Sequence, residues 1–393
     1  MRILVIIYEF PPVGGGGGHA AREICWELVR RNHEVHVLTA HMRGLPRVEE
    51  QNGVRVIRIP SGRKRPYQAG LLPMSGFVLA GLWAGLRYIR QWRPDLLHVH
   101  FAVPSGPVAW AVSHHSGIPY VLTAHLGDVP QGVPEKTDHW FRWIFPLTPP
   151  IWRDAAQVVA VSEHTRNLAL QHYGKIFGQQ NPASKGKEIQ VIPNGVEVNK
   201  IMPDTIRIGN PPLIVNAARI VSQKNPLQLV HTLAELRHLE WQCALVGDGL
   251  LIPQVIETIR KLNLEDRFIL TGWITPEETT EWLAKADILF MPSLAEGLPV
   301  VGVKALATGL AIVASRVGGF LDLVVEGKNG NLIDLQNPQG YAIALKNLLE
   351  NPERLKAFRL ASLQKAQEFD IQKVVDAYEK IFSAVVDHQR SID

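Results

Sequence analysis

Short runs of apolar, largely β-branched residues alternate with longer stretches of helical periodicity along most of this chain. Arg2–Tyr8, Glu34–Thr39, Val54–Ile59, Asp95–Val99, Tyr120–Thr123, Gln157–Val161 and Gln190–Pro193 read as strands. A helix is predicted over Ala20–Arg31, with further helical stretches ahead of Asp95 and Tyr120. Continuous apolar strands separated by helices predict a parallel sheet, because each crossover helix covers one face of it. A polar stretch with Pro and Gly, Lys200–Pro212, reads as a linker, and the pattern then restarts. Leu213–Ala217, Gln242–Val246, Phe268–Leu270, Ile288–Met291 and Ala311–Ala314 are predicted strands. Pro226–Leu239, Leu251–Leu262, Thr275–Lys285 and Val300–Thr308 are predicted helices. The tail, Ile371–Val386, predicts a helix that docks back on the first half. The chain therefore reads as α/β, with doubly wound Rossmann-like domains over 1–200 and 201–370 and a C-terminal helix in 371–393. Ligands of such sheets bind beyond the carboxyl ends of the strands, so a cleft between the halves is the expected site.

Length and composition agree with this division. The 393 residues exceed what one core usually organises, about 250–300, and 46% are apolar against 20% charged. Forty-one basic and 37 acidic residues leave a net charge of +4. That is too small for a nucleic-acid partner, yet compatible with an anionic small substrate or an anionic membrane surface. Cys25 and Cys243 lie in opposite halves, which excludes a disulfide scaffold and fits a reducing, cytoplasmic setting. The opening MRILVIIYEF is too short for a signal peptide and reads as a buried first strand.

Two segments complicate the picture. Ala69–Leu86 is nearly as long and apolar as a membrane span, but Pro73 and Gly70, Gly76, Gly81 and Gly85 interrupt it. A buried or surface-lying helix is expected there. Pro134–Asp154 mixes Trp140, Phe141, Arg142, Trp143, Phe145 and Trp152. Interdomain packing is its expected role, with an amphipathic membrane-surface or acceptor-binding helix as the alternative.

The candidate chemistry sits after strands. Strand 1 runs into Pro11-Pro12-Val13 and then Gly14 to Gly18, with a helix expected to begin near His19. Glycines let backbone approach a ligand, and the helix start offers free N–H groups to a phosphate. A dinucleotide fingerprint is the rival reading. Only its relaxed form is met, by Gly15, Gly17 and Ala20, and Thr39-Ala40-His41 stands where the acidic residue belongs. In the second half, Arg219 and Lys224 follow one strand and Gly247-Asp248-Gly249 another. Pro292-Ser293-Leu294-Ala295-Glu296-Gly297-Leu298-Pro299-Val300 opens a helix, and Gly318-Gly319 comes later. An arginine and a lysine at one spot match a diphosphate, and Glu296 can accept hydrogen bonds from sugar hydroxyls.

This ordered set resembles the retaining glycosyltransferases of family 4, which have the GT-B fold. Further motifs carry the resemblance: Pro-Pro-x-Gly-Gly, the segment Glu27 to Val35, Asp95-Leu96-Leu97-His98-Val99-His100, Ala124-His125-Leu126-Gly127-Asp128, Val161-Ser162 and Pro193-Asn194-Gly195-Val196. The resemblance implies that Gly15 and Gly16 meet the donor phosphate or the acceptor. It places His125 beside the transferred sugar and Asp128 on the acceptor side. Arg219 and Lys224 would clamp the donor diphosphate in place of a metal, so neither metal nor cofactor is expected. Glu296 would hold the sugar hydroxyls. Gly247, Asp248, Gly249, Gly297, Leu298, Pro299, Val300 and Lys304 complete the implied donor site.

Lys304 departs from the family pattern, which has a second glutamate eight positions after Glu296. Lysine offers three donors and no acceptor. A modified nucleotide site, a donor without a nucleotide, and a weak or inactive relative are the three readings. Asp322 stands where relatives often carry Glu. His98 and His100 share a strand face but show no third metal ligand in sequence. The resulting expectation is a transferase that moves a sugar with retention from a UDP- or GDP-sugar to a carbohydrate or lipid-linked hydroxyl. Closure about 200–212 would exclude water. Arg63, Lys64, Arg65, Arg87 and Arg90 flank Ala69–Leu86 and point to peripheral contact with the inner face of a membrane. A non-catalytic binding subunit and a sugar-nucleotide epimerase of the same fold are the alternatives.

Overall fold

The computed structural model describes residues 1–65, 70–133, 141–177 and 187–391. The chain divides into two compact units, Met1–Gly195 with Ile371–Asp393, and Val196–Asp370.

In unit 1 the strands are β1 (Arg2–Ile7), β2 (Glu34–Met42), β3 (Val48–Gln51), β4 (Val54–Arg63), β5 (Leu96–His100), β6 (Tyr120–Ala124), β7 (Gln157–Ala160) and β8 (Ile189–Val191). They form one sheet in the order β3-β4-β2-β1-β5-β6-β7-β8. All pairs are parallel except β3–β4. That edge hairpin turns at Asn52 and Gly53, both with positive φ, so the Asn-Gly pair supplies the twist a two-residue hairpin needs. The longer helices are α1 (Gly16–Arg30), α2 (Leu71–Gln91), α3 (Ser105–Ser116) and α4 (Glu163–Tyr173). Ile3, Val5 and Ile7 face one core and Leu4, Ile6 and Tyr8 the other, as a central strand covered on both sides requires.

Unit 2 contains β9 (Leu213–Ala217), β10 (Gln242–Val246), β11 (Phe268–Gly272), β12 (Ile288–Met291), β13 (Ala311–Ser315) and β14 (Gly330–Ile333). Their order is β11-β10-β9-β12-β13-β14, all parallel. Helices α5 (Pro226–Glu235), α6 (Ile252–Lys261), α7 (Pro276–Lys285), α8 (Val300–Ala307), α9 (Gln339–Leu349) and α10 (Pro352–Ala366) belong to it. The boundary between units falls at Gly195/Val196, ahead of the polar stretch 200–212, which lies within unit 2. Backbone pairing explains this: Val196 N–H donates to Phe369 C=O, and Arg359 and Asp287 hold the carbonyl of Arg207 and the N–H of Gly209. Arg359 and Asp287 also form a buried ion pair, while Asp287 accepts from Leu213 N–H at the start of β9. Burial pushes the Asp287 carboxyl up and the Arg359 guanidinium down.

Helix α11 (Ile371–Arg390) returns the chain to unit 1. Its stripe Ile371, Val374, Val375, Tyr378, Ile381 and Phe382 joins the core beneath α1. Arg31 donates to Glu379 at 2.6 Å and to Asp376, and His33 pairs with Glu379 at 2.7 Å.

Helix α2 is the one helix among the described residues that is long and apolar enough to cross a membrane. Phe77, Gly81, Gly85 and Ile89, four residues apart, form a buried stripe. A Cβ at Gly81 or Gly85 would come within 2.8 Å of Val108 or Val112, so the glycines set how closely α2 packs on α3. The opposite face leaves Leu72, Leu79 and Trp83 exposed. In the aromatic segment, Trp152 differs from the expected interdomain packing. Trp152 is fully buried and stacks on Tyr173 at 4.3 Å, both inside the core of unit 1, because its ring fills space beside α4. Trp143 is exposed. Trp140, Ala69 and the side chains of Phe141 and Arg142 lie outside the described residues.

Candidate active site

The sequence-predicted residues of unit 2 converge at the carboxyl ends of its strands. β9 delivers Arg219 and, after one turn, Lys224; β10 delivers Gly247–Gly249; β12 delivers Pro292–Pro299; β13 delivers Gly318 and Gly319. Backbone bonds tie these loops together. Ile220 N–H donates to Asp248 C=O at 2.9 Å, and Leu294 N–H to Gln223 C=O at 2.8 Å. The Gln223 amide donates to Ala295 C=O at 2.9 Å. Glycine is required where the loops cross. A Cβ at Gly247 would overlap Ala218 C=O, and one at Gly318 would overlap Glu296 C=O, with both glycines at positive φ.

Lys224 and Glu296, 72 residues apart in sequence, meet as an ion pair of 2.5 Å. Both side chains are largely buried, at 13% and 5% exposure. Lysine has three donors, so two remain after the bond to Glu296. One oxygen of Glu296 is likewise left for another donor. The half-buried Arg219 side chain has no partner among the described residues. The set therefore combines two cations with a carboxylate that keeps acceptor capacity, which suits phosphate oxygens beside hydroxyl groups. Ser293 Oγ and Gln223 Oε1 are buried here without hydrogen-bond partners among the described residues. Ser293 lies within the Pro292–Val300 motif without a role assigned to it from sequence, and Gln223 was missed, since a glutamine in a loop carries no distinguishing signal.

In unit 1, α1 begins at Gly16, three residues before His19, so Gly16, Gly17 and Gly18 form its first turn. Their N–H groups are those a helix leaves without internal partners. Gly15 N–H donates to Glu9 Oε2 at 3.2 Å, and Glu9 pairs with Arg63 at 3.1 Å. Gly17 leaves room for His125: a Cβ there would approach His125 Nδ1 to 3.3 Å and Phe101 to 2.7 Å.

His125 follows β6 and is 8% exposed. Its ring stacks on Phe101, centroids 4.3 Å apart, and Phe101 itself sits at φ +68°. Burial pushes the His125 imidazole down to about 4, so it is neutral near pH 7. Asp128 accepts from His125 N–H at 2.7 Å and from Val103 N–H at 3.2 Å. Burial raises its carboxyl to about 7 against these backbone donors. At 1% exposure Asp128 fixes the His125 loop from behind.

Two family profiles cover almost the whole chain. "Glycosyl transferase 4-like domain" matches residues 15–195, and "Glycosyl transferases group 1" matches residues 198–364. The chain belongs to the GT4-like glycosyltransferases. This glycosyltransferase is 27% identical to the D-inositol 3-phosphate glycosyltransferase of Corynebacterium diphtheriae, over 97% of this chain and 94% of that one. Among solved structures it is similar to sucrose-phosphate synthase from Thermosynechococcus elongatus (TM-score 0.82, 21% identity, 98% and 100% of the chains covered). It is also similar to Anabaena HepE in complex with UDP (TM-score 0.76, 19% identity, 98% and 100% covered). These likenesses give the fold as GT-B.

The glycosyltransferase departs from its sequence-level reading at three side chains. Lys304 Nζ donates to Thr280 Oγ1 at 2.8 Å and to Pro276 C=O at 3.4 Å, so it joins α8 to α7. Asp128 is enclosed behind His125, where backbone N–H groups occupy its oxygens, so it does not stand exposed on an acceptor surface. The Arg63 side chain is fully buried and paired with the partly exposed Glu9, so it is no part of a membrane-facing basic cluster. Among the described residues no group of three or more His, Cys, Asp or Glu side chains could hold a metal ion. The family match favours neither the epimerase nor the inactive-subunit alternative.

Proposed function

We propose that this glycosyltransferase moves a hexosyl group, with retention, from a UDP- or GDP-sugar to a hydroxyl of a carbohydrate or lipid-linked acceptor. The observation that carries the reading is the Lys224–Glu296 pair beside Arg219, whose side chain has no partner among the described residues. Unit 2 holds the donor: Arg219 and the remaining Lys224 protons take the diphosphate, and Glu296 accepts from sugar hydroxyls. As the glycosidic bond breaks, negative charge grows on the leaving diphosphate, and two fixed cations stabilise it more than they stabilise the intact donor. The acceptor hydroxyl enters on the face the diphosphate leaves, and its proton passes to the departing phosphate oxygen. Within unit 1, the neutral His125 ring and the first turn of α1 offer hydrogen-bond donors suited to an oxygen-rich ligand. HepE bound to UDP, within the same fold, supports a nucleoside diphosphate donor.

The acceptor side of the proposal rests on α2. Leu72, Leu79 and Trp83 are exposed on one face, Arg87 lies over the Trp83 ring, and Lys64 and Arg65 are exposed ahead of the helix. This combination favours an anionic bilayer surface at the cytoplasmic face. Sedimentation with anionic but not neutral vesicles is expected, and no sedimentation with either would remove the membrane from the proposal.

A thermal-shift series with UDP, GDP, ADP, dTDP and sugar 1-phosphates tests the donor class. A ligand at a hundredfold excess over its Kd stabilises the fold by about 2.7 kcal/mol. The donor so identified, carrying 13C at the anomeric carbon, then reports stereochemistry. Product with the donor's anomeric configuration supports the proposal. Inversion, or isomerisation of the donor without transfer, would overturn it.

A further inference from the structure

Behind His125 lie two more buried histidines that the proposed chemistry does not use. β5 places His98 and His100 on one face, ring centroids 4.3 Å apart, at 0% and 1% exposure. Among the described residues, each has one partnered ring nitrogen and one without a partner. His98 Nε2 meets Thr123 Oγ1 at 3.0 Å, and that hydroxyl meets Tyr378 OH of α11 at 3.1 Å. His98 Nδ1 is buried with no hydrogen-bond partner. His100 Nδ1 meets His125 Nε2 at 3.4 Å, and His100 Nε2 is buried with no partner.

A contact between two neutral imidazole nitrogens needs one proton, held by one ring. A buried N–H left without an acceptor is rarer than an acceptor left without a donor. His100 therefore keeps its proton on Nδ1, where there is an acceptor, and leaves a bare lone pair on Nε2. His125 Nε2 must then be the acceptor of that bond, and the single proton of neutral His125 sits on Nδ1. That atom faces the position where a Cβ of Gly17 would stand, 3.3 Å away, beside the start of α1.

We propose that His100 is a positioning residue that holds His125 as its Nδ1–H tautomer and so presents an N–H donor, beside Gly17, to a substrate oxygen. The inference rests on the function proposed above for its kinetic meaning, but the tautomer itself does not. Phe101 stacking fixes the ring plane, and His100 fixes which nitrogen carries the proton. Without His100, His125 Nε2 would lose its donor and the two tautomers would become comparable. The opposite tautomer would turn a lone pair toward the substrate hydroxyl.

The test is a long-range 15N–1H spectrum of ring-labelled histidines in the full-length protein, with His125 identified by the signal lost in His125→Asn. The expected wild-type pattern is a protonated Nδ1 and a bare Nε2 on His125. His100→Phe keeps the ring shape and removes the donor, whereas His100→Asn places an amide N–H near the former Nδ1. His100→Phe should move His125 toward the Nε2–H form and lower kcat at least about tenfold, the scale of one well-oriented hydrogen bond, with donor KM changed less than twofold. His100→Asn should restore most of both. A wild-type His125 protonated on Nε2 would overturn the proposal even if no variant folds. Equal losses in the Phe and Asn variants would overturn it as well. A wild-type protein that transfers sugar from no donor would instead sink the proposed function, and the spectrum would still decide the tautomer.

Discussion

Lys224 and Glu296 each satisfy the other, so neither can be removed alone without leaving a largely buried charge unpaired. Breaking such a pair from one side costs about 3–5 kcal/mol. Lys224→Ala is therefore expected to lower thermal stability as well as transfer. Arg219→Ala should lower kcat/KM by at least about a hundredfold, near 2.7 kcal/mol of transition-state stabilisation, with Tm nearly unchanged because Arg219 has no partner among the described residues. A steady-state assay beside a melting curve checks this: equal Tm losses in both variants would show that Arg219 is structural. Gly318→Ala probes the loop crossing. Its methyl group cannot fit over Glu296 C=O, and the backbone is at φ +52°. The variant should weaken the nucleotide-dependent thermal shift although residue 318 carries no functional group.

At the scale of elements, α11 contributes an apolar stripe to the core of unit 1 and carboxylates to Arg31 and His33. Each buried aliphatic or aromatic side chain of the stripe stabilises by about 1.5–3 kcal/mol. A chain ending at residue 370 thus exposes more apolar surface than a marginally stable unit tolerates. In that chain, amide-exchange protection of β1, β5 and β6 is expected to be lost while that of unit 2 persists, and unchanged protection in those three strands would contradict that role. The periodicity of Ile371–Val386 marked an amphipathic helix expected to dock on the first half, and its stripe does enter the core of unit 1. Conversely, Asn52-Gly53 carried a hairpin signal ahead of Val54, yet β3 was not foreseen, because its polar residues lack strand alternation. β14 was missed as well, since four residues beginning Gly330-Asn331 give too short a pattern. Helices α9 and α10 were likewise not foreseen, and α10 mixes apolar and charged residues without a clean face.

At the scale of the molecule, the buried histidines couple folding to pH. Burial lowers His98 to about 3, His125 to about 4, and His100 well below its ordinary value. Unfolded histidines take up protons near pH 6.5, so between there and pH 4 the unfolded chain binds more protons at these sites. Their contribution to stability is present above pH 6.5 and is lost as pH falls. Asp128, raised to about 7, acts in the opposite sense: the folded state binds its proton first, and that contribution is lost as pH rises toward 7. Three histidines outweigh one carboxyl. Stability by urea unfolding is expected to fall by about 2–4 kcal/mol from pH 7 to pH 5, and the loss should be smaller in His98→Asn. A flat profile would show that these imidazoles are not held neutral.

The sequence by itself determined the alternation of strands and helices, the restart of that alternation in the second half, and the family motifs with their order. Those features depend on local apolar periodicity and on residue types that read without neighbours. It also placed Arg219, Lys224 and Glu296 after strands, which is enough to put them at one edge of a parallel sheet. Only the tertiary structure decided that Lys224 and Glu296 pair, since a contact across 72 residues depends on how two strand-end loops cross. The same holds for Lys304, whose side chain is taken up by α7, and for Arg63, which neutralises Glu9 inside unit 1. Asp128 shows the limit most plainly. Its motif marked it as functional, but whether it faces substrate or braces His125 depends on which backbone N–H groups surround it, and the fold alone brings those together.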